Sequence, residues 1–291
     1  EYNGYKIYNE DGCQLILEQS NQLLEKINAI EDELNIPSVA QSPLINILSK
    51  DVDEAYYQMV LNTQIRKEID HSSLKIVYSP QHGTGFIPVM EVLKRAKYQV
   101  YEVKEQSYPS PTFENTLSPN PEEKEAYTLA IELAKQKQAD IVLTTDPDCD
   151  RVGMVVFDDK KQPVYFTGNQ TGSLLKDYLL KSKKEKNLLV QPSIVYNTIV
   201  TSPLGAKVAH AYGVLCEQTL TGFKYIGDKI AQALKNNGPV FQMGYEESYG
   251  YLFNKEVRDK DGVQFVLLIC EMAAYYKNIG KNLIEVFDAL Q

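Results

Sequence analysis

The chain has 291 residues, a formal net charge of −9, 43% hydrophobic and 24% charged residues. That length points to about two domains, and this apolar share fills ordinary cores, which excludes a disordered chain. The acidic balance argues against a nucleic-acid binder, which carries a basic face, and no apolar stretch approaches the roughly 20 residues of a membrane span.

Residues 11–30 read as an amphipathic helix with Leu15, Leu23, Leu24 and Ile27 on its apolar side. Residues 31–48 hold two prolines and read as a linker, and a helix is predicted over 50–69. An alternating unit follows: a strand over 74–78, a glycine turn, a helix over 87–96 and a strand over 98–103. Residues 105–121 hold four prolines and form a long loop. The helix predicted over 122–136 has Pro121 at its start and acids in its first turn. Strands over 139–143 and 152–157 close the unit.

After Gly168 the pattern recurs, with helices over 172–181, 202–212 and 225–234 and strands over 188–192, 214–218 and 240–243. A long apolar helix is predicted over 263–276. Strand–helix–strand alternation gives the α/β class: two consecutive α/β domains, each a small mixed, largely parallel sheet flanked by helices. The polar N-terminus shows no signal peptide. Cys13, Cys149, Cys216 and Cys270 lie far apart, as cytosolic thiols do, rather than in a disulfide frame or zinc site. The chain opens on Glu1 and stops at Gln291 just inside a predicted helix, which reads as a fragment of a longer protein.

The chemistry concentrates in Thr144-Thr145-Asp146-Pro147-Asp148-Cys149-Asp150-Arg151, directly after the strand over 139–143. Carboxylates this close repel, and without a cation at least one tends to stay protonated. Hard oxygen ligands suit Mg²⁺. Three other readings stand beside metal binding. An acidic turn opened by Pro147 can simply be solvated. A calcium EF-hand would need Gly where Arg151 stands, Glu where Phe157 stands, and a helix in front. An aspartyl-nucleophile phosphatase loop also places Asp-x-Asp after a strand, but usually continues with Thr or Val where this chain has Asp150.

The Asp-Pro-Asp-Cys-Asp-Arg loop resembles the metal loop of the α-D-phosphohexomutases, the phosphoglucomutase and phosphomannomutase family. Further matches follow in the family's order. Glu1-Tyr2-Asn3-Gly4-Tyr5-Lys6 resembles the segment after the family's phosphoserine loop, and Pro80-Gln81-His82-Gly83-Thr84-Gly85 a turn of its second domain. Thr221-Gly222-Phe223-Lys224 and Gly244-Tyr245-Glu246-Glu247-Ser248 resemble its two sugar-facing loops. Arg258-Asp259-Lys260-Asp261-Gly262 resembles a further active-site stretch. The resemblance covers nearly the whole chain. The metal loop and the Glu-Glu-Ser loop together are specific, and the His-Gly-Thr-Gly turn alone is weak.

The resemblance implies a division into the tail of a first domain with a linker (1–45), a second α/β domain with the metal loop (46–167) and a third with the sugar-binding loops (168–291). It implies Mg²⁺ on Asp146, Asp148 and Asp150, with Arg151 and Lys260 catalytic. It places Thr221, Gly222, Lys224, Glu246, Ser248 and Arg258 on the substrate. The implied partners are hexose phosphates, glucose or mannose 1- or 6-phosphate, with no nucleic acid or membrane and a cytoplasmic setting. The implied reaction interconverts the two phosphates through a phosphoserine and a bisphosphate. No Ser-His-Asn-Pro loop and no C-terminal phosphate-binding domain occur in these 291 residues, so the fragment alone is expected to be inactive.

Each assignment has a plainer counterpart. Glu246 and Ser248 suit sugar hydroxyls, or else form an ordinary strand-to-helix turn with Ser as a cap. Lys224 beside Gly222 can approach a ligand together with the backbone, or is a solvated surface lysine. Arg258 and Lys260 belong to the site or to a charged turn before a helix. His82 is a base or shapes the turn behind the site. A phosphopentomutase, a phosphoglucosamine mutase (which usually has Gln where Glu247 stands) and a non-catalytic sugar-phosphate binding fragment remain as rival functions.

Overall fold

The computed structural model describes residues 6–32, 34–35 and 37–291. In chain order the first half contains α1 (Leu17–Asn28), α2 (Lys50–Leu61), β1 (Lys75–Ser79), α3 (Phe86–Arg95), β2 (Gln99–Glu102), α4 (Thr128–Lys137), β3 (Ile141–Thr145), β4 (Val152–Phe157) and β5 (Pro163–Phe166). The second half contains α5 (Gly168–Glu185), β6 (Ser193–Thr198), α6 (Leu204–Ala211), β7 (Leu215–Thr219), α7 (Phe223–Lys235), β8 (Val240–Tyr245), β9 (Tyr251–Leu252), α8 (Gly262–Asn278) and α9 (Leu283–Asp288).

The first sheet runs β2-β1-β3-β4-β5, with β2, β1 and β3 parallel and β4 and β5 antiparallel. Side chains alternate across it. Ile76, Tyr78, Ile141, Leu143 and Met154 enter one apolar cluster, and Val77, Val142 and Val155 enter another. Both faces are therefore dry, as a largely parallel sheet requires. Ala130, Ile131 and Ala134 of α4 cover the second cluster. Val89, Val92 and Leu93 of α3 cover the first, together with α8.

The second sheet runs β7-β6-β8-β9, parallel except for β9. Phe223, Ile226 and Ile230 recur at helical spacing on α7 and pack on Ile194, Tyr196 and Phe241. α5 and α6 take the other side, and Thr167 with Gln170 forms a reciprocal cap at the start of α5. α8 is buried almost all round and touches α3, β3 and β4 as well as α5 and β9. A helix that is apolar on every side belongs in a core. No helix among the described residues is long and apolar enough to cross a membrane.

The α/β class and both mixed sheets match the sequence expectation, whereas several element bounds differ from it. α1 starts at Leu17 rather than residue 11, because residues before it fold back as a hairpin. There Asn9 accepts the amides of Asp11 and Cys13, and Gly12 turns at φ 71°. α2 stops at Leu61 instead of running to residue 69. Residues Lys124–Tyr127 form a 3₁₀ turn ahead of α4, held by the Tyr127 hydroxyl donating to the Pro121 carbonyl at 2.6 Å. The strand expected over 188–192 lies after Pro192, as β6. β5 and β9 were not expected at all.

Lys176 of α5 is fully buried. It donates to Asn197 Oδ1 at 2.8 Å and to the Gly205 carbonyl at 3.2 Å, and its Nζ lies 4.6 Å from the Tyr245 ring centroid. Those two oxygens satisfy a neutral amine and leave the third proton of an ammonium only the ring face. Burial pushes its pKa down from 10.5 to about 7. A native pKa below the unfolded one means the unfolded state binds more protons between those values, so stability rises as pH climbs from about 7 towards 10.5. Urea melts at pH 7 and pH 9 are expected to show this rise in the wild type and a smaller one in Lys176→Met. Equal slopes for both proteins would contradict it.

Candidate active site

Strand order places two crevices at the carboxyl ends of the parallel strands, between β1 and β3 and between β6 and β8. At such switch points successive connections leave in opposite directions and open a space for a ligand. The acidic loop follows β3, and the loop carrying Glu246 follows β8. An isolated antiparallel bridge between Arg151 and Gly250 joins the two loops. The Val152 amide adds a bond to the Tyr249 carbonyl at 3.0 Å.

Close backbone approach shapes the acidic loop. A Cβ on Gly83 would lie 2.4 Å from Pro147 Cα, and the Thr84 amide donates to the Pro147 carbonyl at 2.8 Å. A Cβ on Gly262 would lie 2.5 Å from the Cys149 carbonyl, which accepts the Gly262 amide at 2.9 Å. The His-Gly-Thr-Gly turn thus backs the loop on one side and the start of α8 on the other. His82 itself is buried, its Nδ1 2.9 Å from the Tyr108 carbonyl and its Nε2 without a hydrogen-bond partner.

Asp146, Asp148 and Asp150 each offer an oxygen, all within 4.8 Å of one another. Asp146 is buried and pins the loop: Oδ1 accepts the amides of Asp150 at 3.0 Å and Arg151 at 2.9 Å, and Oδ2 accepts Arg151 Nε at 2.8 Å. Burial, then the charges of Asp150 and Asp148, push its pKa up to about 7. Asp150 Oδ2 meets Lys6 Nζ at 2.6 Å and Lys260 Nζ at 3.1 Å, and Lys6 also reaches Asp148 at 3.3 Å. Burial works against the Asp150 charge, but Lys260 and Lys6 outweigh it and hold the carboxyl below its ordinary range. Lys6 responds in kind: burial opposes its charge, and the Asp150 contact raises its pKa well above the ordinary lysine value.

The donor set is all carboxylate, which fits a hard ion such as Mg²⁺. Burial raises the Cys149 thiol well above its usual range, and its sulfur is not among the clustered ligand atoms.

Lys260 continues towards the second loop, its Nζ 3.9 Å from Glu246 Oε2. Glu246 is buried, accepts the Gly222 amide at 2.9 Å and has its pKa raised by burial. One polar chain therefore joins Asp148, Asp150, Lys6, Lys260, Glu246 and Gly222. Ser248 is half-buried and Thr221 is exposed beside Gly222. Lys224 lies against its neighbour, its Nζ 5.4 Å from the Tyr225 ring centroid. Arg258 faces the N-terminal hairpin and donates to the Asp11 carbonyl, with its buried Nε unpartnered.

Sequence reading passed over Lys6, Tyr8 and Asp259. The Tyr8 hydroxyl donates to Asp259 Oδ2 at 2.7 Å, and Asp259 Oδ1 accepts the Lys260 amide at 2.8 Å. Residues 1–5 of the N-terminal match lie outside the described residues. The resemblance of that stretch was the one signal for Lys6, because its carboxylate partners lie 142 and 144 residues away.

Two family models match the chain. Phosphoglucomutase/phosphomannomutase, alpha/beta/alpha domain II, covers residues 54–159, and domain III of the same family covers residues 167–291. A phosphoglucomutase of Staphylococcus haemolyticus is 38% identical over 294 residues, covering 100% of this chain and 52% of the relative. A phosphoglucomutase of Staphylococcus aureus is 35% identical over 100% of the chain and 52% of its own length. The chain thus spans about half the length of these curated relatives. Among solved structures, a phosphoglucomutase/phosphomannomutase family protein from Burkholderia thailandensis superposes with a TM-score of 0.63 at 18% identity, over 82% of this chain and 46% of that one. An Aspergillus fumigatus N-acetylphosphoglucosamine mutase in complex with GlcNAc-6P and magnesium gives 0.55 at 13% identity, over 81% and 52%. At those identities the structures show a shared fold.

Proposed function

We propose, because this chain belongs to the phosphoglucomutase/phosphomannomutase family, that it supplies the metal loop and the sugar-facing loops of a phosphohexomutase. The whole enzyme interconverts hexose 1-phosphate and hexose 6-phosphate. A phosphoserine gives its phosphoryl group to the sugar, and the other phosphate of the resulting bisphosphate returns to serine. The observation that carries this reading is the polar chain running from the three aspartates through Lys260 to Glu246. It sets a cation-holding loop and a hydroxyl-binding loop side by side.

Asp146, Asp148 and Asp150 would hold Mg²⁺, which neutralises charge on a phosphoryl group in transit. Arg151 fixes the loop through Asp146, while its Nη1 contacts Asn120 at 3.1 Å and Glu122 at 3.2 Å. Lys260 sits between the two loops, where its ammonium can donate to the reacting hydroxyl or its phosphate. Glu246 and Ser248 orient adjacent sugar hydroxyls, with the Gly222 amide holding Glu246 in place. Thr221, Lys224 and Arg258 complete the substrate side. The names of the curated relatives favour glucose phosphates. Sugar phosphates as a class agree with the GlcNAc-6P and glucose 1,6-bisphosphate complexes of the fungal neighbours.

The test is a coupled assay of the full-length protein on glucose, mannose and ribose 1-phosphates, with and without a chelator. Chelator-sensitive turnover of a hexose phosphate supports the reading, and no hexose turnover sinks it. In the same assay Glu246→Ala is expected to lower kcat/KM about a hundred-fold, because it removes a sugar contact and leaves the Gly222 amide without an acceptor. An unchanged value would remove Glu246 from the site.

A further inference from the structure

Among the described residues three cations face the acidic loop, and they are held very differently. Arg151 is fixed to buried Asp146 and braced by Asn120 and Glu122. Lys260 is hemmed in: its side chain is 18% exposed, and a Cβ on Gly250 would fall 2.1 Å from its Cδ. Lys6 is the loose one. Its side chain is 38% exposed, and its ammonium touches two of the three carboxylates, Asp148 at 3.3 Å and Asp150 at 2.6 Å. Asp148 is itself 58% exposed, so Lys6 lies on the solvent side of the loop.

The hairpin arm that carries Lys6 is tethered. Tyr8 is bonded to Asp259, Asp11 accepts from Arg258 and pairs with Lys235 at 2.6 Å, and Cys13 Sγ lies 3.3 Å from the Gly227 carbonyl. Asp259 in turn holds the Lys260 amide. The hairpin and the Lys260 segment thus form one closed ring that runs through Asp150. These tethers keep the Lys6 side chain beside the same two carboxylates.

We propose that Lys6 is a tethered competitor for the divalent ion: its ammonium occupies Asp148 and Asp150, and uptake of the ion displaces it. This rests on the metal reading of the loop given above. Asp150 Oδ2 already carries both Lys6 and Lys260, so a divalent ion there meets two ammonium charges, and Lys6, the more exposed of the two, is the one that can swing away. Its contact therefore lowers the apparent affinity for the ion and sets the concentration range over which the loop fills. Once displaced, the ammonium stays close by on its hairpin, available to an anion beside the ion.

The experiment is titration calorimetry with MgCl₂ on the purified chain and four variants. Lys6→Gln is expected to tighten Mg²⁺ binding by about five- to ten-fold, the share that a half-exposed, charge-assisted pair contributes. Lys6→Arg, which keeps the charge, is expected to bind as the wild type does. Lys281→Gln removes the same charge beyond the far end of α8 and is expected to change nothing. Asp150→Asn is expected to lose binding. Equal tightening by Lys6→Gln and Lys281→Gln would reduce the effect to net charge and overturn local competition. Wild-type binding that disappears in Asp150→Asn but is unchanged in Lys6→Gln would overturn the proposal while leaving the metal reading intact. Absence of Mg²⁺ uptake by wild type and Lys6→Gln alike would bring down both.

Discussion

Asp150→Asn in the full-length protein is expected to lower mutase kcat/KM by about a hundred- to a thousand-fold, the range seen when one preorganised charge contact is removed. The side chain keeps its shape and loses one negative charge. The backbone amide of residue 150 still donates to Asp146 Oδ1, so the loop retains its turn. What changes is the oxygen on which Lys6 and Lys260 converge, which becomes part of a neutral amide facing two ammonium groups. A divalent ion loses a charged ligand at the same stroke. Thermal melting should fall as well, because a buried carboxylate held below its ordinary range by two ammonium groups contributes stability that a neutral amide loses. Asp146→Asn tests how the loop is fixed instead. Asp146 is buried, and Arg151 bonds one of its oxygens while two loop amides bond the other. Its substitution should therefore lower the melting point as well as the rate. If Asp150→Asn turned over at the wild-type rate, the acidic loop would have no part in the chemistry.

Gly83→Ala is expected to destabilise the fold by about 2–3 kcal/mol, the upper part of the range for overpacking. It should also weaken Mg²⁺ uptake, although residue 83 touches no carboxylate. The added methyl would meet Pro147 Cα at 2.4 Å and the Pro147 carbonyl oxygen at 2.5 Å. Those are backbone atoms, so relief requires the acidic loop itself to move. Gly280→Ala separates this effect from simple backbone strain. That glycine has φ +71° and nothing within 4 Å of a built Cβ, so its cost is the left-handed conformation alone, about 1 kcal/mol. Urea melts with calorimetry on both variants give the comparison. Loss of stability with intact metal binding in Gly83→Ala would mean that the turn and the loop are not mechanically joined.

Much of this arrangement is legible in the sequence where local pattern and long-range packing agree. Ile141 to Thr145 is buried at every position, so a continuous apolar run ending in aspartates was enough to place β3 and the loop after it. Legibility failed where burial is partial or sequence separation is large. β5 begins with Pro163 and is mostly half-buried, and β9 has two residues, too few to show a period. The apolar stretch Leu188-Leu189-Val190 drew the expected strand too early. β6 carries polar Ser193, Asn197 and Thr198 yet is buried throughout. Those side chains find buried partners: Gln242 donates to Ser193, Lys176 to Asn197, and Thr198 bonds Thr201. No pattern in β6 itself discloses them. The same applies to the site. The aspartates announce themselves as a cluster, while Lys6 and Tyr8 reach it only through a hairpin whose contacts lie on the far side of the sequence.

The position of α8 bears on how the chain comes to be folded. This helix lies against β3 and β4 of the first sheet, yet it is made only after the whole of β6 to β9. On a ribosome, α3 would cover that face of the first sheet without α8 until residue 262 and its successors emerge. Any polypeptide ended earlier would carry a half-covered oily slab. Such species are the ones that aggregate or recruit chaperones. Nascent chains halted before Gly262 should therefore be sticky, and those released after Asn278 should not.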